Sequence, residues 1–287
     1  MSNFEFNHDI DMAWCPGCGN FPLRNILIKA LTELQLDPTQ VVFSSGIGQA
    51  AKMPQYVDAS YFNGLHGRGL AVASAISAVN PKLTVIAEGG DGDMYGEGGN
   101  HLIHNIRRNP HLVHIVHNNM VYGLTKGQAS PTSPIGLVTP LQLDGVYNQP
   151  INPMALALAM GATFVARGFS GDQEKTKELI KAAILHNGYA IIDIFHPCVT
   201  YNKVNTFAWY KSHTFWLDEA HPKTNKEAAM KLALDEERLA CGILYQVEGK
   251  AYPQRHPFYQ GNLTPFYQRK RDPKDIAKLF NKPKAHS

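Results

Sequence analysis

The chain has 287 residues, 44% of them hydrophobic and 18% charged, which is ordinary for a soluble protein and sufficient for one large core with appended segments. A formal charge of +3, with no long stripe of basic and aromatic residues, argues against a nucleic-acid partner. No apolar run approaches the roughly 18–20 residues a bilayer span needs, and residues 1–12 are acidic and polar where a secretory leader would be basic and then apolar, so no membrane role and a cytoplasmic location are expected.

In chain order, 23–34 carries apolar residues at helical spacing, and 41–43 is a short buried-strand candidate that opens into Ser44-Ser45-Gly46-Ile47-Gly48. Residues 69–79, small and apolar, suit a helix packed tightly on a sheet. A strand at 83–87 leads into Gly89-Gly90-Asp91-Gly92-Asp93, a helix is expected from about 99 to 108, and 112–116 is again a strand. A strand at 162–165, an amphipathic helix at 174–185 and a strand at 189–195 follow. This alternation predicts an α/β fold, a mostly parallel sheet with helices on both faces. Beyond Thr200 the pattern weakens: 202–216 is aromatic and polar, 226–239 reads as a helix, 242–247 as a strand, and the tail from Gln268 is basic. Two regions are therefore expected: 1–200, an α/β domain with an N-terminal Cys-x-x-Cys segment, and 201–287, an irregular extension packed on that domain or on a partner.

Ligands of such sheets bind beyond the carboxyl ends of the strands, and the chemistry-bearing residues fall there: Gly46 and Gly48, Asp91 and Gly92, Asn118 and Asn119, and Cys198. Gly90-Asp91-Gly92 is separated from Asn118-Asn119 by 25 residues, one helix-and-strand crossover. A diphosphate needs a divalent cation to hold it, and magnesium takes hard oxygen ligands. Asp91 can supply the carboxylate, Asn119 an amide oxygen and Val121 a backbone carbonyl, while the flanking glycines let main-chain N–H groups near Gly92 and Asp93 approach phosphates. The bland reading of Gly-Asp-Gly alone is a turn. Neither a dinucleotide fingerprint nor a Gly-x-x-x-x-Gly-Lys-Ser/Thr loop is present. The layout resembles the thiamine diphosphate motif.

Cys15-Pro-Gly-Cys18, Ser45-Gly-Ile-Gly48, His66-Gly-Arg68, the Gly-Asp-Gly run, Asn105-Ile-Arg-Arg-Asn109 and Tyr122-Gly-Leu-Thr-Lys-Gly-Gln128 occur in that order. As a set they resemble the beta subunits of 2-oxoacid:ferredoxin oxidoreductases, the 2-oxoglutarate type in particular, over about 14–202. The resemblance implies an enzyme subunit that binds thiamine diphosphate and Mg2+ and works with an alpha subunit supplying the pyrimidine-binding domain. The implied reaction is a CoA-dependent oxidative decarboxylation of a 2-oxo acid, reversible in principle, with ferredoxin as electron acceptor. By the same resemblance Asp91, Asn119 and the Val121 carbonyl hold magnesium. Ile47, Gly48, Gly92, Asp93, Gly123 and Leu124 line the cofactor, with His66 and Arg68 nearby, and Lys126 lies near substrate or coenzyme A. The bland alternatives are a satisfied loop histidine for His66 and an exposed loop lysine for Lys126.

Of the four cysteines, Cys15 and Cys18 are spaced to reach one metal or cluster. The resemblance places a further iron–sulfur ligand at Cys198 and another where this chain has Gln49, a departure from the family pattern. Three outcomes stay open: a 4Fe-4S cluster with three thiolates and a non-cysteine fourth ligand such as water or Gln49, recruitment of Cys241, or a three-iron cluster, zinc or no metal. Two other functions also stay open, a non-redox thiamine enzyme half and a non-catalytic zinc-knuckle assembly module.

Overall fold

A computed structural model describes residues 4–7, 9–259, 261–270 and 272–280. The chain enters through the Cys15–Cys18 turn into helix α1 (Asn20–Glu33), then strand β1 (Val41–Ser45), a 3-10 segment (Ala50–Tyr56) and strand β2 (Ser60–Asn63). Helix α2 (Gly69–Val79) leads to β3 (Thr84–Gly90), one wide π-helical stretch (Gly92–Glu97), α3 (Gly99–Arg108) and β4 (Leu112–Asn118). A two-stranded ribbon, β5 (Val121–Tyr122) and β6 (Gln128–Ala129), precedes α4 (Pro153–Ala159), β7 (Phe164–Phe169), α5 (Gln173–Leu185) and β8 (Tyr189–Phe195). Last come α6 (Phe207–His213), β9 (Thr214–Trp216), α7 (Lys226–Leu234), β10 (Leu239–Gln246), the short α8 (Tyr252–Arg255) and α9 (Pro273–Phe280).

Eight strands form one sheet in the order β2-β1-β3-β4-β8-β7-β10-β9. All neighbouring pairs are parallel except β7–β10. Every residue of β4, β7 and β8 is buried, as expected where helices cover both faces. The period of two divides their side chains between two cores. On one face Leu27 and Leu31 of α1 and Ile180 and Ala183 of α5 pack over Ile86, Val113, Ile115 and Ile192. On the other, Leu70 (α2), Leu102 (α3), Leu158 (α4) and Ala233 (α7) cover Val85, Val116, Val165 and Ile191.

The mostly parallel α/β expectation therefore holds, with several corrections of extent. Helix α7 ends at Leu234, and Leu239 opens β10 rather than closing a helix. The stretch 202–216 contains α6 and β9, and β2, β5 and β6 are strands too short or too polar to show a periodicity. Strand β10 pairs with β7, so the C-terminal segment extends the main sheet. The basic tail includes Arg271, Lys282 and Lys284, which lie outside the described residues. Among the described residues no helix is long and apolar enough to cross a membrane.

The Asn105…Asn109 motif is architectural. Asn105 donates to the Leu70 and His101 carbonyls (3.4 and 2.8 Å). Asn109 ends α3 in the left-handed conformation (φ 51°), a role Asn tolerates, and its Oδ1 accepts from the Tyr189 N–H at 2.8 Å. Helix α3 is thereby fixed between β3 and β4, the two strands that carry Asp91 and Asn119.

Candidate active site

The chain reverses its direction of travel across the sheet between β1 and β3, since β2 lies on one side of β1 and β3 on the other. Such a switch point leaves a crevice at the carboxyl ends of the strands. There a cavity of about 420 Å³ is lined by Ile47, Gly48 and Gln49 after β1, Gly90 to Asp93 after β3, Asn119 and Val121 to Lys126 after β4, and Cys198 to Tyr201 after β8. Cys15, Cys18, His66 and Glu97 close it. One crossover joins β3 to β4 as parallel neighbours in register (Gly90 opposite His117), which is why Asp91 and Asn119 meet at one rim.

Asp91 is 1% exposed, and burial raises its carboxyl pKa to about 6, against hydrogen bonds from Ser130 and Thr132 that lower it. The Thr132 hydroxyl lies 2.6 Å from Asp91 Oδ2 and 3.0 Å from Asn118 Oδ1. Asn118 donates its amide to Asp193 (3.1 and 3.2 Å), which also accepts from the Tyr95 hydroxyl at 2.7 Å. The two asparagines thus face opposite ways, as consecutive residues at a strand end do. Asn118 enters a buried network behind Asp91, and Asn119 lines the cavity. Asn119 Oδ1 accepts from the Val121 N–H at 3.1 Å, and its backbone carbonyl accepts from Asn202 at 3.1 Å, which fixes the turn that presents it.

The glycines leave room for a ligand. Gly48 (φ +101°) and Gly123 have no heavy atom within 4 Å of where a Cβ would stand. At Gly92 a Cβ would meet the Tyr122 ring at 2.1 Å, and the Tyr122 hydroxyl donates to the Gly92 carbonyl at 3.1 Å. Asp93 has a different task from Asp91. Its Oδ1 accepts from the Gly67 N–H at 2.7 Å, tying the 64–68 loop to the floor, and burial raises its pKa to about 6 against backbone bonds from Gly67 and Ile47.

His66, half-exposed at the rim, pairs with Glu97 at 2.7 Å. Lys126 is exposed, in a left-handed conformation (φ 72°), at the mouth of the cavity beside Leu124. Arg68, two residues beyond His66, stands at the N-cap of α2, is exposed and is not among the residues that line the cavity.

Cys15, Cys18 and Cys198 border the same cavity although 180 residues of sequence separate Cys18 from Cys198. Their two segments are held together where the Gly19 N–H donates to the Pro197 carbonyl (3.4 Å), an approach open only to glycine, since a Cβ there would stand 2.6 Å from the His196 side chain. Burial pushes the Cys18 thiol up to about 11; the Asn20 N–H opposes this, while Cys198 and Cys15 raise it further. The Tyr201 N–H donates to Cys198 Sγ at 3.4 Å. Main-chain donors to sulfur are a feature of iron–sulfur sites. Gln49 also fits a ligand-facing position: its Oε1 is buried without a partner, while its backbone carbonyl accepts from the Trp14 indole at 2.7 Å. The alternative that Cys241 supplies a fourth ligand is disfavoured, because Cys241 is fully buried on β10 among Phe169, Phe195 and Tyr210 and is not among the residues that line the cavity. Among the described residues no three His, Cys, Asp or Glu side chains already converge as a metal-binding group.

Sequence reasoning missed Thr132, Asp193, Tyr95 and Asn202, which support the rim from behind. It also missed the chain Glu88–His117–Asn20 on the other face, where His117 Nε2 and Nδ1 lie 2.8 Å from Glu88 Oε1 and Asn20 Oδ1. Glu88, His117 and Asp193 were marked only as polar residues inside otherwise apolar strands, and the others carried no local signal.

Residues 41–194 match the family model for the C-terminal TPP-binding domain of thiamine pyrophosphate enzymes. The class is therefore a thiamine diphosphate-binding α/β domain. Residues 198–261 match the model for the C-terminal part of the pyruvate ferredoxin oxidoreductase beta subunit. The chain is 43% identical over 278 residues to the 2-oxoacid:ferredoxin oxidoreductase subunit beta of Saccharolobus solfataricus, covering 94% of this chain and 88% of the relative. It is 33% identical to the 2-oxoglutarate synthase subunit KorB of Methanocaldococcus jannaschii, over 78% of this chain and 86% of that one. A solved 2-oxoglutarate:ferredoxin oxidoreductase from Magnetococcus marinus, with 2-oxoglutarate, coenzyme A and succinyl-CoA bound, superposes with a TM-score of 0.90 at 35% identity, covering 97% of this chain and 95% of that one. The chain belongs to the beta-subunit family of the 2-oxoacid:ferredoxin oxidoreductases, of the 2-oxoglutarate type, and is one subunit of an enzyme rather than a non-catalytic assembly module.

Proposed function

We propose that this chain, joined to an alpha subunit, catalyses the CoA-dependent oxidative decarboxylation of a 2-oxo acid, 2-oxoglutarate foremost, and passes the electrons through an iron–sulfur cluster to ferredoxin. The observation that carries the reading is one cavity bordered both by Asp91 with Asn119 and by three cysteines. When bound, thiamine diphosphate supplies the nucleophilic carbon and electron sink, and an iron–sulfur cluster accepts electrons one at a time.

The chain's own residues have separable tasks. Asp91, Asn119 Oδ1 and the Val121 carbonyl form the hard-oxygen set that would hold Mg2+. Main chain at Gly48, Gly92 and Gly123 leaves space for a diphosphate, with Ile47 and Leu124 as apolar flanks. Cys15, Cys18 and Cys198 would hold the cluster, 4Fe-4S in type, and the unpartnered Gln49 Oε1 stands in the position that lacks a thiolate. Lys126 and the His66–Glu97 pair stand at the mouth, where Lys126 would draw in a carboxylate of the acid or the phosphates of coenzyme A.

The test is co-expression with the alpha partner under anoxia, followed by iron and sulfide analysis and CoA-dependent dye reduction with several 2-oxo acids. We expect iron and sulfide in the wild-type complex, a loss of both in Cys198→Ser, and the fastest turnover with 2-oxoglutarate. Iron-free protein that still decarboxylates would favour a non-redox thiamine enzyme, and faster turnover of pyruvate would overturn the substrate assignment.

A further inference from the structure

A second cavity of about 420 Å³ lies behind the metal-binding rim and shares no lining residue with the first. The chain after β4 forms the partition: Asn119 and Val121 line the first cavity, Asn118 and Met120 the second. We propose that this second cavity binds a singly charged carboxylic acid with an apolar body.

Its floor is Arg167 on β7, 5% exposed. A guanidinium stays charged in a protein and carries five N–H donors, yet Nε and Nη1 of Arg167 are buried with no acceptor among the described residues. Its cross-strand neighbour Asp193 feels the Arg167 charge through space but gives its hydrogen bonds to the Tyr95 hydroxyl and the Asn118 amide, and among the described residues Arg167 forms no ion pair within 4.0 Å. Contact with the Phe195 ring, 5.3 Å from the guanidinium carbon to the ring centroid, supplies no hydrogen-bond acceptor. Burying such a cation is costly unless an oxygen acceptor completes it, and a carboxylate matches two parallel N–H groups.

The rest of the cavity selects among anions. Ile135, Leu137, Trp209 and Leu239 make its walls apolar, which suits a hydrocarbon body. Asp235 and Glu236 line it as well, and they repel a doubly charged phosphate more than a single carboxylate. A ligand here would press on Asn118 and Thr132, the groups that brace Asp91 from behind.

Calorimetric titration of the purified complex with octanoate tests this, using octanamide as the neutral isostere and octyl phosphate as the dianion. We expect saturable binding of octanoate that is at least about tenfold weaker for octanamide and in Arg167→Gln, from the loss of charge-assisted hydrogen bonds, and weaker for octyl phosphate. Val204→Trp, a half-exposed wall position, should abolish binding by filling the cavity without touching Arg167. Absent saturation, equal affinity for octanamide or octyl phosphate, or unchanged binding in either variant overturns the proposal. None of these readouts depends on thiamine diphosphate or iron content.

Discussion

Replacing Asp91 by Asn removes one charge from the floor of the active-site cavity and keeps the side chain's shape. In the metal-free protein the carboxyl pKa is raised by burial from an ordinary 3.8 to about 6. A carboxyl whose folded-state pKa is raised stabilises nothing above that value. The penalty is absent below about pH 4, grows as pH rises, and is complete above about pH 6. At roughly 1.4 kcal/mol per pH unit, the rise corresponds to about 3 kcal/mol of destabilisation at neutral pH, which Asn relieves. On the proposed assignment of Asp91 as a Mg2+ ligand, the sign reverses when Mg2+ and thiamine diphosphate are added. Loss of the anionic partner of a buried cation costs about 2–5 kcal/mol, or roughly 30- to 5,000-fold in affinity. The two curves should therefore cross: Asp91→Asn melts higher than wild type in EDTA and lower with saturating wild-type levels of cofactor and Mg2+. Thermal melts of the complex in both buffers, with a thiamine diphosphate titration at fixed Mg2+, read this out. Wild-type cofactor affinity in the variant, or a lower melting temperature in both buffers, would refute the metal assignment.

Gly92→Ala should weaken thiamine diphosphate binding and cost about 1–3 kcal/mol of stability, because the new methyl group displaces the Tyr122 ring and breaks its bond to the Gly92 carbonyl. Equilibrium unfolding with a cofactor titration checks both, and Gly123→Ala, where space is open, should leave stability nearly unchanged. His114, fully buried on β4 with Nδ1 2.7 Å from the Tyr189 hydroxyl, has its pKa lowered by burial to about 3. The stability it contributes is present above pH 6.5 and is lost as pH falls toward 3, so His114→Gln should reduce the loss between pH 7 and pH 5 by about 2 kcal/mol. Denaturant midpoints across that range decide it, and an unchanged slope would mean that His114 is protonated in the folded state.

The strand-and-glycine rhythm was enough to identify β1, β3, β4, β7 and β8 and to place Asp91 and Asn119 at one rim. Both follow from local periodicity and from a single crossover between neighbouring parallel strands. The Cys-x-x-Cys turn was legible for the same local reason. The family's motifs then linked it to Cys198, though the contact that unites them, Gly19 against His196 and Pro197, has no local signature. The placement of Arg68 outside the cavity lining was not legible, because a short motif next to a functional loop does not reveal which way each side chain turns.

Thr132, Tyr95, Asp193 and Arg167 escaped detection because their importance depends on which strands become neighbours. Strand β8 inserts between β4 and β7, against sequence order, and only that insertion sets Asp193 beside both Asn118 and Arg167. By itself the sequence determined the parallel α/β class, the rim where Asp91 and Asn119 stand, and the cysteine pair. The tertiary structure alone decided what Asn118 does behind the rim, which aspartate is braced there, and where a buried cation is left without a hydrogen-bond acceptor among the described residues. Periodicity is a property of one segment, whereas desolvation and hydrogen-bond satisfaction belong to the space between segments.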